Sequence, residues 1–195
     1  MLEVNSIIKN HAIYSDDKKH RYLLSRVWDE KKPIAMFISK FSGEADGIYI
    51  ELTNNLITNN LYKLGYGGYY TTNLVSEIFG NGNQSDDITD KIIKEYAQKS
   101  ADIIISWGSL NTVVLQKREE QVVKILKSTK KKLLTVTDDT GRKNLHILTP
   151  CVRNGFMLSD FVYINKSDTK TKFNTKTEKV DTKKETASDK NRKNS

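Results

Sequence analysis

The 195-residue sequence predicts an α/β protein: a three-layer α/β/α sandwich around a mainly parallel sheet of about four core strands, with an extra N-terminal strand pair. Three observations lead there. Segments rich in β-branched and aromatic residues alternate with segments whose apolar residues recur at helical spacing. One strand segment, Asp102 to Ser106 (DIIIS), is almost continuously apolar, as a strand covered on both faces must be. Glycines and short polar residues fall where the helices would begin and end. A strand–helix alternation of this kind argues for parallel strands joined by right-handed crossovers.

The elements follow in order. Arg21–Val27 (RYLLSRV) and Pro33–Ser39 (PIAMFIS) read as strands flanking the turn-like Asp29-Glu30-Lys31-Lys32. Between residues 49 and 64, Leu52, Leu56, Leu61 and Leu64 lie near helical spacing, and Gly65 stands as a natural residue just past the helix end. Gly65-Tyr66-Gly67-Gly68 precedes a strand, Tyr69–Leu74 (YYTTNL), rather than a helix. It therefore reads as backbone clearance and not as a phosphate loop. A loop from Gly80 to Asp86 ends in good N-cap residues, and Ile88, Ile92, Tyr96 and Ala97 mark a second helix. After Asp102–Ser106, Val114, Arg118, Val122 and Leu126 mark a third. Lys130–Lys132 reads as a solvated connection, Leu133–Thr137 (LLTVT) as the fourth core strand, and Asp138–Gly141 as a turn.

Charge divides the chain into an α/β domain over 1–165 and a basic, Lys/Thr-rich tail over 166–195. The net charge of +8 invites a nucleic-acid reading, yet the tail carries +5 of it and the body only +3. The tail has only Phe173, Val180 and Ala187 as apolar residues, so its composition is that of a disordered segment. Cys151 is the single cysteine, which excludes an internal disulfide and suits a reducing compartment. No apolar run is long enough to span a membrane and the start lacks a signal core, so the expected location is the cytoplasm. His11, His20 and His146 lie far apart without metal-ligand spacing. No Walker loop or nucleophile elbow occurs, so no metal and no cofactor is expected. His146 lies five residues from Cys151, but nothing in the sequence orients the two as a catalytic pair.

Ligands of open α/β sheets bind beyond the carboxyl ends of the strands, which directs attention to those segments. His146 follows the last core strand and is a candidate acid/base or donor to a developing anion; a plain loop histidine is the alternative. Asn73 ends a strand and could read an amide-like edge, or bond its own turn. Glu44 and Asp46 are the acids of the first crevice loop, hence the candidates for activating water, unless simply solvated. Trp107 is either a stacking wall or core. Arg21, Tyr22, Arg26 and Trp28 form a basic and aromatic cluster fit to stack a base and hold a phosphate, or else an edge strand protected by charge. Strict alternation would put Arg26, Tyr22 and Trp28 on one face and Arg21 on the other.

Several of these residues also carry a resemblance. Arg21-Tyr22, Leu24-Ser25-Arg26-Val27-Trp28, Ala45-Asp46, Glu51-Leu52-Thr53, Gly65-Tyr66-Gly67-Gly68, Asn73-Leu74 and Trp107-Gly108 resemble, in order and spacing, the bacterial and phage family called domain of unknown function 1643. Ser39-Lys40-Phe41-Ser42 stands where that family has Asn-Pro-Ser, and His146-Ile147-Leu148 where it has His-Pro-Leu, the pattern of a diverged member. The order of motifs is also distantly similar, at the level of fold, to uracil-DNA glycosylases, in which a polar motif, an Asn and a terminal His act on a flipped base. The resemblance implies a crevice that handles a nucleobase, nucleotide or nucleic-acid end. A crevice filled by Phe41 would mark a member that kept the fold and lost the chemistry. The alternative is a non-catalytic interaction protein of a mobile element or phage, binding a protein or DNA partner.

Overall fold

A computed structural model describes residues 1–78 and 85–163. The expected loop tip over 80–84 and the tail over 166–195 lie outside the described residues. Every element belongs to the first of the two units into which the chain divides, Met1–Phe161; the second, Val162–Ser195, lies almost wholly outside the described residues.

Seven strands are present among the described residues: β1 (Lys9–Tyr14), β2 (Arg21–Val27), β3 (Ile34–Phe41), β4 (Gly68–Val75), β5 (Asp102–Ile105), β6 (Lys132–Thr137) and β7 (Met157–Asp160). Three α-helices accompany them among the described residues: α1 (Leu52–Lys63), α2 (Asp87–Lys99) and α3 (Val113–Ser128). The strands form one sheet in the order β1-β2-β4-β3-β5-β6-β7. β4, β3, β5 and β6 are mutually parallel, while β1, β2 and β7 run antiparallel to their neighbours. The four parallel strands are the four core strands the sequence predicts. The N-terminal pair is β1 with β2; β2 and β3, though consecutive, are separated by β4.

Alternation along the strands builds two cores. Ala35 and Phe37 of β3, Tyr69 of β4, Ile104 of β5 and Val136 of β6 meet Ile57 and Leu61 of α1 and the segment 145–156 on one face. Met36 and Ile38 point to the opposite face, where α2 and α3 pack together and against β4. All the α1-face residues just named are fully buried, so each contributes about 1.5–3 kcal/mol relative to exposure if large and aliphatic or aromatic. The close approach of strands also needs small residues. A Cβ on Gly67 would run into the carbonyl of Asp29, and one on Gly68 would lie 2.6 Å from the Arg26 carbonyl oxygen, which accounts for the two glycines where β4 begins.

Helix α1 ends where Gly65 marks it, and α3 buries Arg118, Val122 and Leu126 as expected with Val114 exposed, but the buried stripes of α1 and α2 are rotated. In α2, Asp86 caps the helix by accepting from the Thr89 backbone N–H at 2.8 Å, and the core stripe is Thr89, Ile93 and Ala97, leaving Ile88 exposed. In α1 the fully buried positions are Asn54, Ile57, Asn60 and Leu61, whereas Leu52 and Leu64 are exposed. Two asparagines thus occupy a helix face that leucines were expected to fill. Asn60 has an evident reason: its amide donates to the carbonyls of Leu56 and Arg153 and accepts from the Phe156 backbone, tying α1 to the last segment.

β2 departs from simple alternation. Against β1, Ile13 pairs with Leu23 and Tyr14 with Arg21, so Tyr22 is an extra residue in a β-bulge. The bulge reverses the facing of everything before it. Arg21 therefore joins Arg26 and Trp28 on the α1 face, while Tyr22 turns to the other face and donates its hydroxyl to Asp86 at 2.7 Å. The expected grouping of Arg26 with Tyr22 against Arg21 is corrected by that one inserted residue.

Candidate functional site

A cavity of about 420 Å³ opens at the carboxyl end of β3, between the sheet and the N-terminus of α1. β3 supplies Ser39, Lys40 and Phe41; β4 supplies Thr71; β2 supplies Arg21. Glu51, Thr53 and Asn54 come from the start of α1, and His146 and Leu148 from the segment after β6. Phe41 stands on the wall and leaves the space open.

The start of α1 is unusual. Asp86 and Thr112 cap α2 and α3 with their side chains, but the N-cap Glu51 makes no side-chain bond to its own helix. Its carboxylate reaches back to the loop and accepts from the backbone N–H groups of Glu44 and, at 2.9 Å, Ala45. The first N–H groups of α1, which have no partner within the helix, are thus left uncapped by Glu51 beside the cavity. The helix dipole adds partial positive charge at the same place.

Arg21 sits next to it, 3% exposed, with one terminal nitrogen donating to the Ala45 carbonyl at 2.5 Å. Burial lowers its pKa, and Glu51 is the main influence pulling it back; the guanidinium stays charged. No carboxylate lies within ion-pair distance of Arg21 or of the equally buried Arg26 among the described residues. Three further polar atoms of the lining are buried without a partner: Ser42 Oγ, Asn54 Oδ1 and Thr71 Oγ1. A buried unpaired polar atom costs about 1–3 kcal/mol, a cost relieved by any water or ligand in the cavity that bonds it. Asn60, two turns along the same helix, makes all its bonds; Asn54 does not.

His146 completes the mouth. Its Nδ1 accepts from the Leu148 backbone N–H at 3.2 Å, which assigns the proton of the neutral ring to Nε2. Burial, aided by the charge of Lys40, holds its pKa below the ordinary 6.5, so the ring is a neutral donor at physiological pH. Gly108, at φ +65°, passes so close that a Cβ there would lie 3.1 Å from the His146 Cβ. The glycine of Trp107-Gly108 thus makes room for the histidine.

The other candidates fall in different places. Asn73 is buried beside the cavity and spends its amide on Ser39 Oγ and the Phe41 carbonyl, each at 2.6 Å. It secures the end of β3, and Ser39, already accepting that bond, keeps its hydroxyl proton to donate. Trp107 lies on the opposite face, its Nε1 donating to Glu119 of α3 and its ring edge-on to Phe161. Trp28 packs edge-on to Tyr69 and donates to the Tyr66 carbonyl. Tyr22 is engaged with Asp86, and burial together with that bond pushes its pKa up to about 12. Glu44 and Asp46 line a separate recess of about 240 Å³ with Tyr14 and Lys18. Asp46 accepts from the Ile48 and Tyr49 N–H groups, which lower its pKa. The carboxylate on the main cavity is Glu51's.

Of the residues singled out from sequence, the fold brings together Arg21 and His146, with Asn73 behind them. It adds Ser39, Ser42, Glu51, Asn54 and Thr71, small polar residues that are common everywhere in the chain. Asn54 gave no signal in the sequence, because the leucine spacing placed the buried face of α1 elsewhere.

The two segments that depart from the expected family pattern, 39–42 and 146–148, both line this cavity. Comparison with known proteins agrees on the family. No curated protein and no solved structure matches the chain. A family model described as "Protein of unknown function (DUF1643)" matches residues 21–148, about two thirds of the sequence, from Arg21 at the cavity floor to Leu148 at its mouth. The chain belongs to that family.

Proposed function

We propose that the cavity binds a small anionic ligand of the nucleotide type: a nucleotide or the phosphorylated end of a nucleic acid. One observation carries the reading, the buried Arg21 guanidinium with no carboxylate within ion-pair distance among the described residues, set beside the uncapped N-terminus of α1. Cation, helix N–H groups and hydroxyls together form the environment in which phosphate is held. Glu51 carries one opposing charge, but its Oε1 is already taken by two backbone donors, and Lys40 adds a second cation at the rim. His146, a neutral Nε2–H donor, could bond a ligand oxygen without adding charge.

The test is thermal stabilisation by mononucleotides, short oligonucleotides with and without a terminal phosphate, and inorganic phosphate. Saturation a hundredfold above Kd stabilises by about 2.7 kcal/mol, a rise of about 5–10 °C for a domain of this size. Arg21→Met should abolish the response. Equal responses from phosphorylated and dephosphorylated ligands would overturn the reading.

A second reading, a docking surface for a protein, has one observation in its favour: Ile48, Tyr49, Ile50 and Leu52 are exposed almost consecutively in the loop that leads into α1. It predicts that substitutions there, and not Arg21→Met, disrupt function.

A further inference from the structure

Resting on the phosphate reading above, we infer that the ligand also carries a planar ring and that Phe41 is the platform on which it stacks. A lone phosphate would leave most of a 420 Å³ cavity unfilled, whereas small-molecule sites of a few hundred cubic ångströms enclose most of their ligand. The lining divides by chemistry. Arg21, Asn54 and Thr71, each at most 3% exposed, form the inner, hydrogen-bonding part. Phe41 and Leu148 supply apolar surface to the remainder, with Lys40 and His146 beside them.

Phe41 itself is the unusual residue. It closes β3, a strand whose central residues are fully buried, yet the residue remains 44% exposed. The Lys40 ammonium lies over one face of the Phe41 ring, 5.8 Å from its centre. An exposed aromatic face beside a cation is the pairing by which single bases are held without regard to sequence. The platform is also fixed in advance. Asn73 grips the Phe41 carbonyl and Ser39 Oγ, and Phe41 pairs with Val75 in the sheet, so the backbone under the ring cannot swing away. A preorganised aromatic loses little freedom on binding. The ligand class that fits is a nucleoside monophosphate or a phosphorylated strand end, phosphate inward at Arg21 and base outward on Phe41, in preference to a sugar phosphate.

Calorimetric titration of the full chain with inorganic phosphate, ribose 5-phosphate, a nucleoside monophosphate and the matching nucleoside separates the two claims. The expected result is that the monophosphate binds about tenfold or more tighter than ribose 5-phosphate. Phe41→Ala should remove that difference without changing the affinity for ribose 5-phosphate, and Phe41→Trp should keep it. The half-exposed ring and the backbone nature of the Asn73 bond make folding of Phe41→Ala secure, and its melting temperature checks this directly. Equal affinity of wild type for ribose 5-phosphate and the monophosphate, or an unchanged preference in Phe41→Ala, overturns the stacking inference and leaves the phosphate reading standing. Failure of every phosphorylated probe to bind overturns both.

Discussion

Arg26 offers the most direct test of how the α1 face is assembled. It is 3% exposed, its Nε and Nη2 have no hydrogen-bond partner, and no carboxylate lies within ion-pair distance among the described residues. Asp46 feels its charge, but as a minor influence behind the backbone donors that hold that carboxylate. Leaving such donors buried and unpaired costs about 1–3 kcal/mol, and an uncompensated buried charge costs more. Arg26→Met keeps a stem of similar length and removes the guanidinium. Against the stabilisation stands a small void where the guanidinium lay, worth about 1 kcal/mol. The net expectation is a gain of about 1–3 kcal/mol, a rise of about 2–12 °C in melting temperature for a domain of this size. Arg26→Ala should gain less or lose stability, because the aliphatic stem goes too. Urea titration and calorimetry of the two variants measure this. Destabilisation of Arg26→Met by more than about 1 kcal/mol would refute the reasoning, since it would require a partner for the guanidinium in the folded protein.

Other expectations follow from single contacts. Gly108→Ala should cost about 1 kcal/mol for its φ of +65° and weaken ligand binding by pressing on His146, so a variant with unchanged binding would count against the histidine. Trp107→Phe loses one buried hydrogen bond to Glu119, about 1 kcal/mol in chemical denaturation, and should leave binding untouched because it lies on the opposite face. Glu44→Gln and Asp46→Asn should likewise leave binding unchanged by calorimetry; a large loss in either would return water activation to that loop. His146 has a folded pKa below 6.5, so the unfolded chain binds the proton more readily. Its contribution is fully present above about pH 6.5 and is lost as pH falls through the window below. Between pH 7.5 and 5 wild type should therefore lose more stability than His146→Gln, and parallel curves would show that the ring is not desolvated.

The strands buried on both faces were legible because their composition admits no other use: DIIIS and LLTVT cannot sit in water. The edge strands were not. KNHAIY of β1 and MLSD of β7 are short, and largely exposed or half-buried, and take their form from a neighbour's unpaired backbone rather than from their own side chains. The helices were legible in extent, and α3 also in facing, through Arg118, Val122 and Leu126; the facing of α1 and α2 was not. Ile88 in place of Ile93, or Leu52 in place of Ile57, is a rotation that only the sheet beneath can decide.

The same division runs through the site. Arg21, Tyr22, Arg26 and Trp28 are conspicuous in sequence as a basic and aromatic cluster, and His146 as a rare residue past a strand. Alternation alone then misassigns their faces, because one bulged residue at Tyr22 reverses the pleat, and a bulge depends on what the partner strand pairs with. The family and the four core strands are carried by motifs and periodicity, and the sequence by itself determined them. Which polar atoms find partners is a property of three-dimensional closure. Only the tertiary structure could decide that Asn60 and Asn73 are consumed by the scaffold while polar atoms of Ser42, Asn54 and Thr71 are left without a partner around one space.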